Sequence, residues 1–138
     1  MRRGRVLALD YGTRNIGLAR NDESGLIVKP LPSIPHRSLQ GSIAILRALV
    51  AREEIESLVI GMPWNMDGSL GPAAEAVRSF ARAVQRELAL PVHEVDERLS
   101  TLEAEELWKR MNRRQQRKYR TADSLAAALI LERYLQGA

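Results

Sequence analysis

Apolar positions in the first third of the chain fall in short runs rather than in helical stripes. Val6, Leu7, Ala8 and Leu9 are consecutive, which predicts a buried strand over residues 5–10. That run ends on Asp10, with Gly12 and Gly17 close behind. "IGLAR" predicts a second strand after the Gly12 turn, "NDESG" a further turn, and "LIVKPL" a third strand. Two hairpins in succession make this start antiparallel. The prolines of "PLPSIP" exclude helix. From Ser38 to Glu54 the period changes, and Ile43, Leu46, Leu49 and Val50 recur at helical spacing. "SLVIGMP" predicts a fourth strand, and "WNMDGSLGP" a loop closed by Pro72 at a helix start. Residues 73–89 read as helix, with Val77, Phe80, Ala81 and Val84 on one face. "PVHEVDE" predicts the fifth strand. Ser100 and Glu103 form a capping box for a helix to about Met111, on which Trp108 and Met111 are packing residues. A last helix runs from about Ala122 to Leu135.

This order predicts an α/β fold, a mixed five-stranded sheet whose first three strands are antiparallel, flanked by helices. At 138 residues the chain suits one domain over 1–138. Hydrophobic residues make up 45 %, enough for a core, so global disorder is excluded. No apolar run approaches the roughly 20 residues that span a bilayer, and the short one near the start, broken by Asp10, predicts no signal peptide. No membrane partner is expected. The absence of cysteine excludes disulfides, thiolate catalysis and Cys-zinc sites, and fits a reducing cytoplasm.

Charge changes the picture by its distribution more than by its net value of +4. "KRMNRRQQRKYR" (109–120) holds Lys109, Arg110, Arg113, Arg114, Arg117, Lys118 and Arg120 without an acid. A solvated surface is the plain reading. A phosphate-backbone contact is the stronger one, because uncompensated like charges repel until an anion neutralises them. Arg113, Arg114, Arg117 and Lys118 are therefore expected nucleic-acid contacts, with Arg14, Asn65 and Arg98 in the same set.

Three acids fall where α/β sheets build sites. Asp10 ends the first strand, Glu97 beside Asp96 ends the fifth, and Asp123 opens the last helix. Asp123 shares a helical face with Ala126, Ala127, Ile130 and Tyr134, so it should point inward to the sheet. Each acid alone has a structural reading: an Asx-turn at Asp10, a helix-dipole partner at Asp123 capped by Thr121, and surface pairing of Asp96 and Glu97 with Arg98. Together they repel unless a cation joins them. Acids without Cys, and without His at ligand spacing, suit Mg²⁺ or Mn²⁺. Such ions beside a basic surface fit phosphodiester hydrolysis. Spacing does not choose between Asp96 and Glu97, although the two face opposite sides of a strand. Neither His36 nor His93 has a catalytic partner at recognisable spacing. Trp64 reads either as loop packing or as a stacking platform for a base.

The blocks "ALDYGTRNIGLA", "VIGMPWNMDGSLGPAAEAVRSFA", "VHEVDERLST" and "ADSLAAALILERYL" occur in the order of the YqgF family, also named RuvX, and span nearly the whole chain. The chain resembles this family, which is similar to RuvC resolvases. The resemblance implies an RNase H-like fold and a metal-dependent nuclease that processes the 5′ end of pre-16S rRNA, or else resolves Holliday junctions in recombination and repair. It implies Asp10, Glu97 and Asp123 as catalytic acids and metal ligands, and so favours Glu97 over Asp96. Gly12 and Asp96 support them. RuvC-like enzymes use more acids, so the resemblance also implies that a second ion binds weakly.

Two rival classes stay in view. Actin-like ATPases and sugar kinases also place an Asp–x–Gly–Thr turn after a first strand, but they need two such domains around a nucleotide. A nucleic-acid-binding module without catalysis has no use for clustered acids. The substrate, an rRNA precursor or branched DNA, stays open, and so does the oligomeric state. A four-way junction asks for a two-fold homodimer, and one RNA end asks for a single site.

Overall fold

The computed structural model describes residues 4–97 and 100–137, with the backbone alone for 100–103. Strands β1 (Val6–Tyr11), β2 (Asn15–Asn21) and β3 (Val28–Pro35) come first, followed by helix α1 (Leu39–Glu53) and strand β4 (Ser57–Met62). Helix α2 (Pro72–Leu88), strand β5 (Val92–Asp96) and helices α3 (Ser100–Arg110), α4 (Arg113–Tyr119) and α5 (Ala122–Leu135) complete the order. The sheet order is β3-β2-β1-β4-β5. β1 pairs antiparallel with β2, and β2 with β3, whereas β4 runs parallel to both β1 and β5. The expected mixed sheet is thus observed, and β1, whose first four residues are all buried, lies at its centre.

Alternation along the strands divides the core. Leu7, Leu9, Ile16, Leu18, Leu58, Ile60 and Met62 face α1 and α2, meeting Leu46, Val77, Phe80 and Val84. Val6, Ala8, Ala19, Val59 and Val95 face α5, meeting Ala127, Ala128, Ile130 and Leu131. The α5 side is built from smaller residues, so this helix sits close to the sheet. Its other side packs Leu125 and Ala126 on Ala104 of α3, with Trp108 and Met111 alongside as expected. Ala126 therefore meets α3 rather than the sheet, because α5 is covered on both sides.

Three local expectations need correction. The third strand starts at Val28, not at residue 26, because Asp22 organises the preceding turn: its N–H donates to the Ile27 carbonyl, at 2.8 Å, and its carboxylate accepts from Ser24. Leu26 and Ile27 are left exposed in that loop. The same strand runs through "PLPSIP" to Pro35, since an edge strand tolerates prolines that a central one does not. The basic stretch, to which no element was assigned, contains α4. Asn112 caps it by accepting from the Gln115 N–H while the Gln115 side chain accepts from the Asn112 N–H. The Ser100–Glu103 capping box lies outside the described residues.

Candidate active site

Asp10 pairs with Gly17 of β2, and because Leu9 pairs with Ile60 of β4, Asp10 comes level with Gly61 on its other side. All three lie on the sheet face that α5 covers. Each glycine is there because a side chain could not be. A Cβ on Gly17 would fall 1.9 Å from the Asp123 carbonyl oxygen, so only glycine lets the first turn of α5 settle on β2. A Cβ on Gly61 would fall 2.3 Å from Cδ of Glu97, so the gap beside Asp10 is where the Glu97 carboxylate sits. Gly12, expected to support the site, serves the β1–β2 turn: a Cβ there would meet the Asn15 carbonyl oxygen at 2.5 Å.

The start of α5 is pinned from two more directions. Thr121 accepts from the Ser124 N–H at 3.0 Å, and the fully buried Ser124 hydroxyl donates to the Leu31 carbonyl of β3 at 2.6 Å. Asp123, between them, is held over the carboxyl end of β1. Glu97 continues β5 by one residue, its N–H donating to the Met62 carbonyl at 3.0 Å. Its side chain turns under α5 and is buried, whereas Asp96 is half-buried. The Asp96 carbonyl accepts a hydrogen bond from Arg133 of α5.

Electrostatics separates these acids from ordinary carboxylates. Burial, and then the charge of Asp123, pushes Asp10 up to about 7. Burial, and then the charge of Asp10, pushes Glu97 up to about 8; Arg133 opposes this and Asp96 adds to it. Burial also raises Asp123. One buried Glu97 oxygen, Oε2, has no hydrogen-bond partner among the described residues. A buried acceptor without a donor costs about 1–3 kcal/mol, a cost that a bound cation would remove. Among the described residues, no three His, Cys, Asp or Glu side chains are already drawn together tightly enough to hold one ion. The acids instead couple in pairs through Asp10.

The other expected contacts lie on a turn, a loop and α4. Arg14 is exposed in the β1–β2 turn, and Arg113, Arg114, Arg117 and Lys118 are exposed on α4. Asn65 is exposed, but its amide donates to Ser69 at 2.9 Å and so holds its own loop. Trp64 packs against the α1–α2 core, with the Arg78 guanidinium 5.0 Å from its ring centroid, so loop packing accounts for it. Arg98 lies outside the described residues. His36 sits on the opposite side of the sheet from Asp10, joined to Tyr11 at 3.1 Å and to Ser42 at 2.6 Å. Gly17, Gly61 and Ser124 were absent from the expected site. Glycine inside a strand is itself a signal of close approach, and it was available for the first two.

Comparison with known proteins identifies the family and the fold. Residues 4–137 match the profile of the family described as "RuvX: Holliday junction resolvase". A relative from Moorella thermoacetica, named "Putative pre-16S rRNA nuclease", is 45% identical over 131 residues, which cover 95% of this chain and 94% of its own. A relative of the same name from Synechococcus sp. is 42% identical over 130 residues, covering 94% and 87%. Among solved structures, Thermus thermophilus RuvC in complex with a Holliday junction substrate superposes with a TM-score of 0.59 at 13% identity, over 98% of this chain and 95% of that one. The fowlpox virus Holliday junction resolvase gives 0.58 at 14%, over 97% and 99%. At such identities the structural likeness speaks for the fold, which is that of RuvC-type, RNase H-like proteins. The sequence matches say more: this chain belongs to the RuvX family.

Proposed function

We propose that the chain is a divalent-metal-dependent nuclease that cleaves structured nucleic acid in the cytoplasm, with the precursor of 16S rRNA as its substrate. The observation that carries this reading is the pair Asp10 and Glu97. Two carboxylates meet on the α5 face, Glu97 buried and Asp10 half-buried; one Glu97 oxygen has no hydrogen-bond partner among the described residues, and a glycine on each side of Asp10 leaves the room that α5 and Glu97 take up. A structural role would leave such acids neutralised by a base or by hydrogen bonds. Asp10, Glu97 and Asp123 fit Mg²⁺ or Mn²⁺ by their hard oxygens. Bound there, the ion supplies charge stabilisation to the attacking and leaving oxygens of a phosphodiester.

The chain's own residues contribute the rest. Asp10 sits on the rigid central strand and defines where the scissile phosphate must come. Glu97 and Asp123 approach it from β5 and α5, and Glu97, raised to about 8, gives up its proton when a cation enters. Arg113 and Arg117 of α4, joined to the start of α5, hold the backbone of the nucleic acid without reading its bases. The names of the curated relatives favour RNA. The family's description and the RuvC likeness favour a second reading, resolution of a four-way junction by a two-fold homodimer. Cleavage of precursor rRNA, single-stranded RNA and a synthetic junction, side by side at matched salt, decides between them. Cleavage of none of the three would overturn the nuclease reading.

Within the acid pair, Glu97→Gln should lower the single-turnover rate by about two decades or more, as removal of an electrostatic stabiliser does. Asp96→Asn should lower it by less than about tenfold, because its carboxylate is half-buried and adds to the field on Glu97. The reverse ranking would place the ligand at Asp96.

A further inference from the structure

One recess has no part in the acid site. It lies between the end of α3 and α4, has a volume of about 270 Å³, and is lined by Trp108, Arg113, Gln116, Arg117 and Arg120. Helical spacing puts Arg113, Gln116, Arg117 and Arg120 on one side of α4. Arg114 and Lys118 fall outside the lining, and the Lys118 ammonium lies 5.5 Å from the Tyr119 ring centroid. Three arginines line it, with no acid among the lining residues. None of the three forms an ion pair among the described residues, although Arg5, Arg20, Arg47, Arg52, Arg78 and Arg86 all do. Like charges held together in this way suit an anion.

The recess is also held rigid. The Asn112–Gln115 capping box fixes the start of α4, and the Gln116 amide donates to the Trp108 carbonyl at 2.9 Å, tying α4 to α3. Arg120 ends α4 at φ 71 and ψ −59, on the side of backbone space that a residue with a Cβ rarely occupies. Such strain persists only where surroundings enforce it, and it recurs at ligand clamps. Trp108 brings an aromatic surface of the kind on which bases stack without regard to sequence. Arg120 stands three positions before Asp123 on the same chain.

We propose that this recess seats one nucleotide of a single-stranded stretch of the substrate, its base against Trp108 and its phosphates among Arg113, Arg117 and Arg120. The site would hold an unpaired flank while the paired part lies over the acids. The inference takes its substrate class from the nuclease reading. It adds that geometry, not the total charge of α4, sets the affinity for single strands.

The test is a fluorescence titration of the full chain without metal, using 5′-phosphorylated hexauridylate as the probe. Trp108 and Trp64 are the two indoles, so Trp64→Phe isolates the signal. Saturable quenching is expected, and a blunt RNA duplex should quench far less. Arg113→Gln with Arg117→Gln should weaken hexauridylate binding about tenfold or more, and lower the salt slope by about 1.4, near 0.7 per lost contact. Arg114→Gln with Lys118→Gln removes the same charge and should weaken it less than about threefold. Trp108→Phe, with Trp64 intact, should weaken hexauridylate binding in a filter assay but not duplex binding. Equal losses in the two double variants, equal quenching by duplex, or no quenching would each overturn the proposal. Because no metal is present and no cleavage is read, its failure is distinct from failure of the nuclease reading, which cleavage assays decide.

Discussion

Asp10→Asn should cleave at least about a hundredfold more slowly than the wild type in Mg²⁺ or Mn²⁺, yet it should melt at a higher temperature when no metal is present. Both effects have one origin. Asp10 has an ordinary carboxylate value of 3.8 when the chain is unfolded and about 7 when it is folded. A group raised on folding contributes its stability below the unfolded value and loses it as pH climbs through the folded one. Metal-free stability should therefore decline from about pH 4 to pH 8, with Glu97, raised to about 8, extending the decline. The displacement of Asp10 corresponds to roughly 4 kcal/mol. An amide recovers part of that, because it too is polar and buried, so a gain of about 1–3 kcal/mol is expected. In a chain of this size that is a Tm rise of about 3–10 °C at pH 8. It should shrink towards zero at and below pH 4, where the folded carboxyl is protonated and the unfolded one becomes so. Thermal melts at the two pH values, beside single-turnover cleavage, check the pair of outcomes. A variant that is both slow and unstable would mean that Asp10 holds the fold together and is not strained by it.

Gly61→Ala should be nearly as damaging to cleavage, although it alters no titratable group. The new Cβ would lie 2.3–2.6 Å from Cδ and both oxygens of Glu97. No carbon tolerates that approach, so the carboxylate must leave its place beside Asp10. A drop of about two decades in rate is expected, with a stability cost of about 1–3 kcal/mol from overpacking. The companion change Glu97→Asp, one methylene shorter, makes room for the methyl group. The double variant should regain at least about tenfold over Gly61→Ala alone. Full activity in Gly61→Ala would show that the position of Glu97 is immaterial to the chemistry.

The sheet and its acids were legible because they rest on local pattern. The Val6–Leu9 run, the alternation around it and the abrupt Asp10 describe a central strand delivering a carboxylate to its own end. The RuvX resemblance added the preference for Glu97, and the burial of Glu97 beside the more open Asp96 agrees with it. What escaped the sequence depends on neighbours distant in the chain. Gly17 and Gly61 read as turn-formers or weak strand residues until α5 and Glu97 are seen to occupy the space they leave. Ser124 looks like an ordinary first-turn residue, but it reaches β3 across the fold. Helix α4 escaped for a different reason. Its dense positive charge reads as a solvated loop, although the Asn112–x–x–Gln115 cap announces a helix start in the sequence itself. The full length of β3 is hidden in the sequence because its prolines, forbidden in a central strand, are harmless at an edge.

The central claim is that Asp10, Glu97 and Asp123 form one cation site in which Asp10 and Glu97 hold protons at neutral pH that an arriving ion displaces. Titrating the metal-free protein with Mn²⁺ in a calorimeter at pH 7, in buffers of different ionisation enthalpy, counts the protons released per ion bound. With Asp10 at about 7 and Glu97 at about 8, release of about one to two protons is predicted. Asp10→Asn should weaken Mn²⁺ binding and release fewer protons. Binding that releases no protons, or that is equally tight in Asp10→Asn, would contradict the claim and place the ion elsewhere.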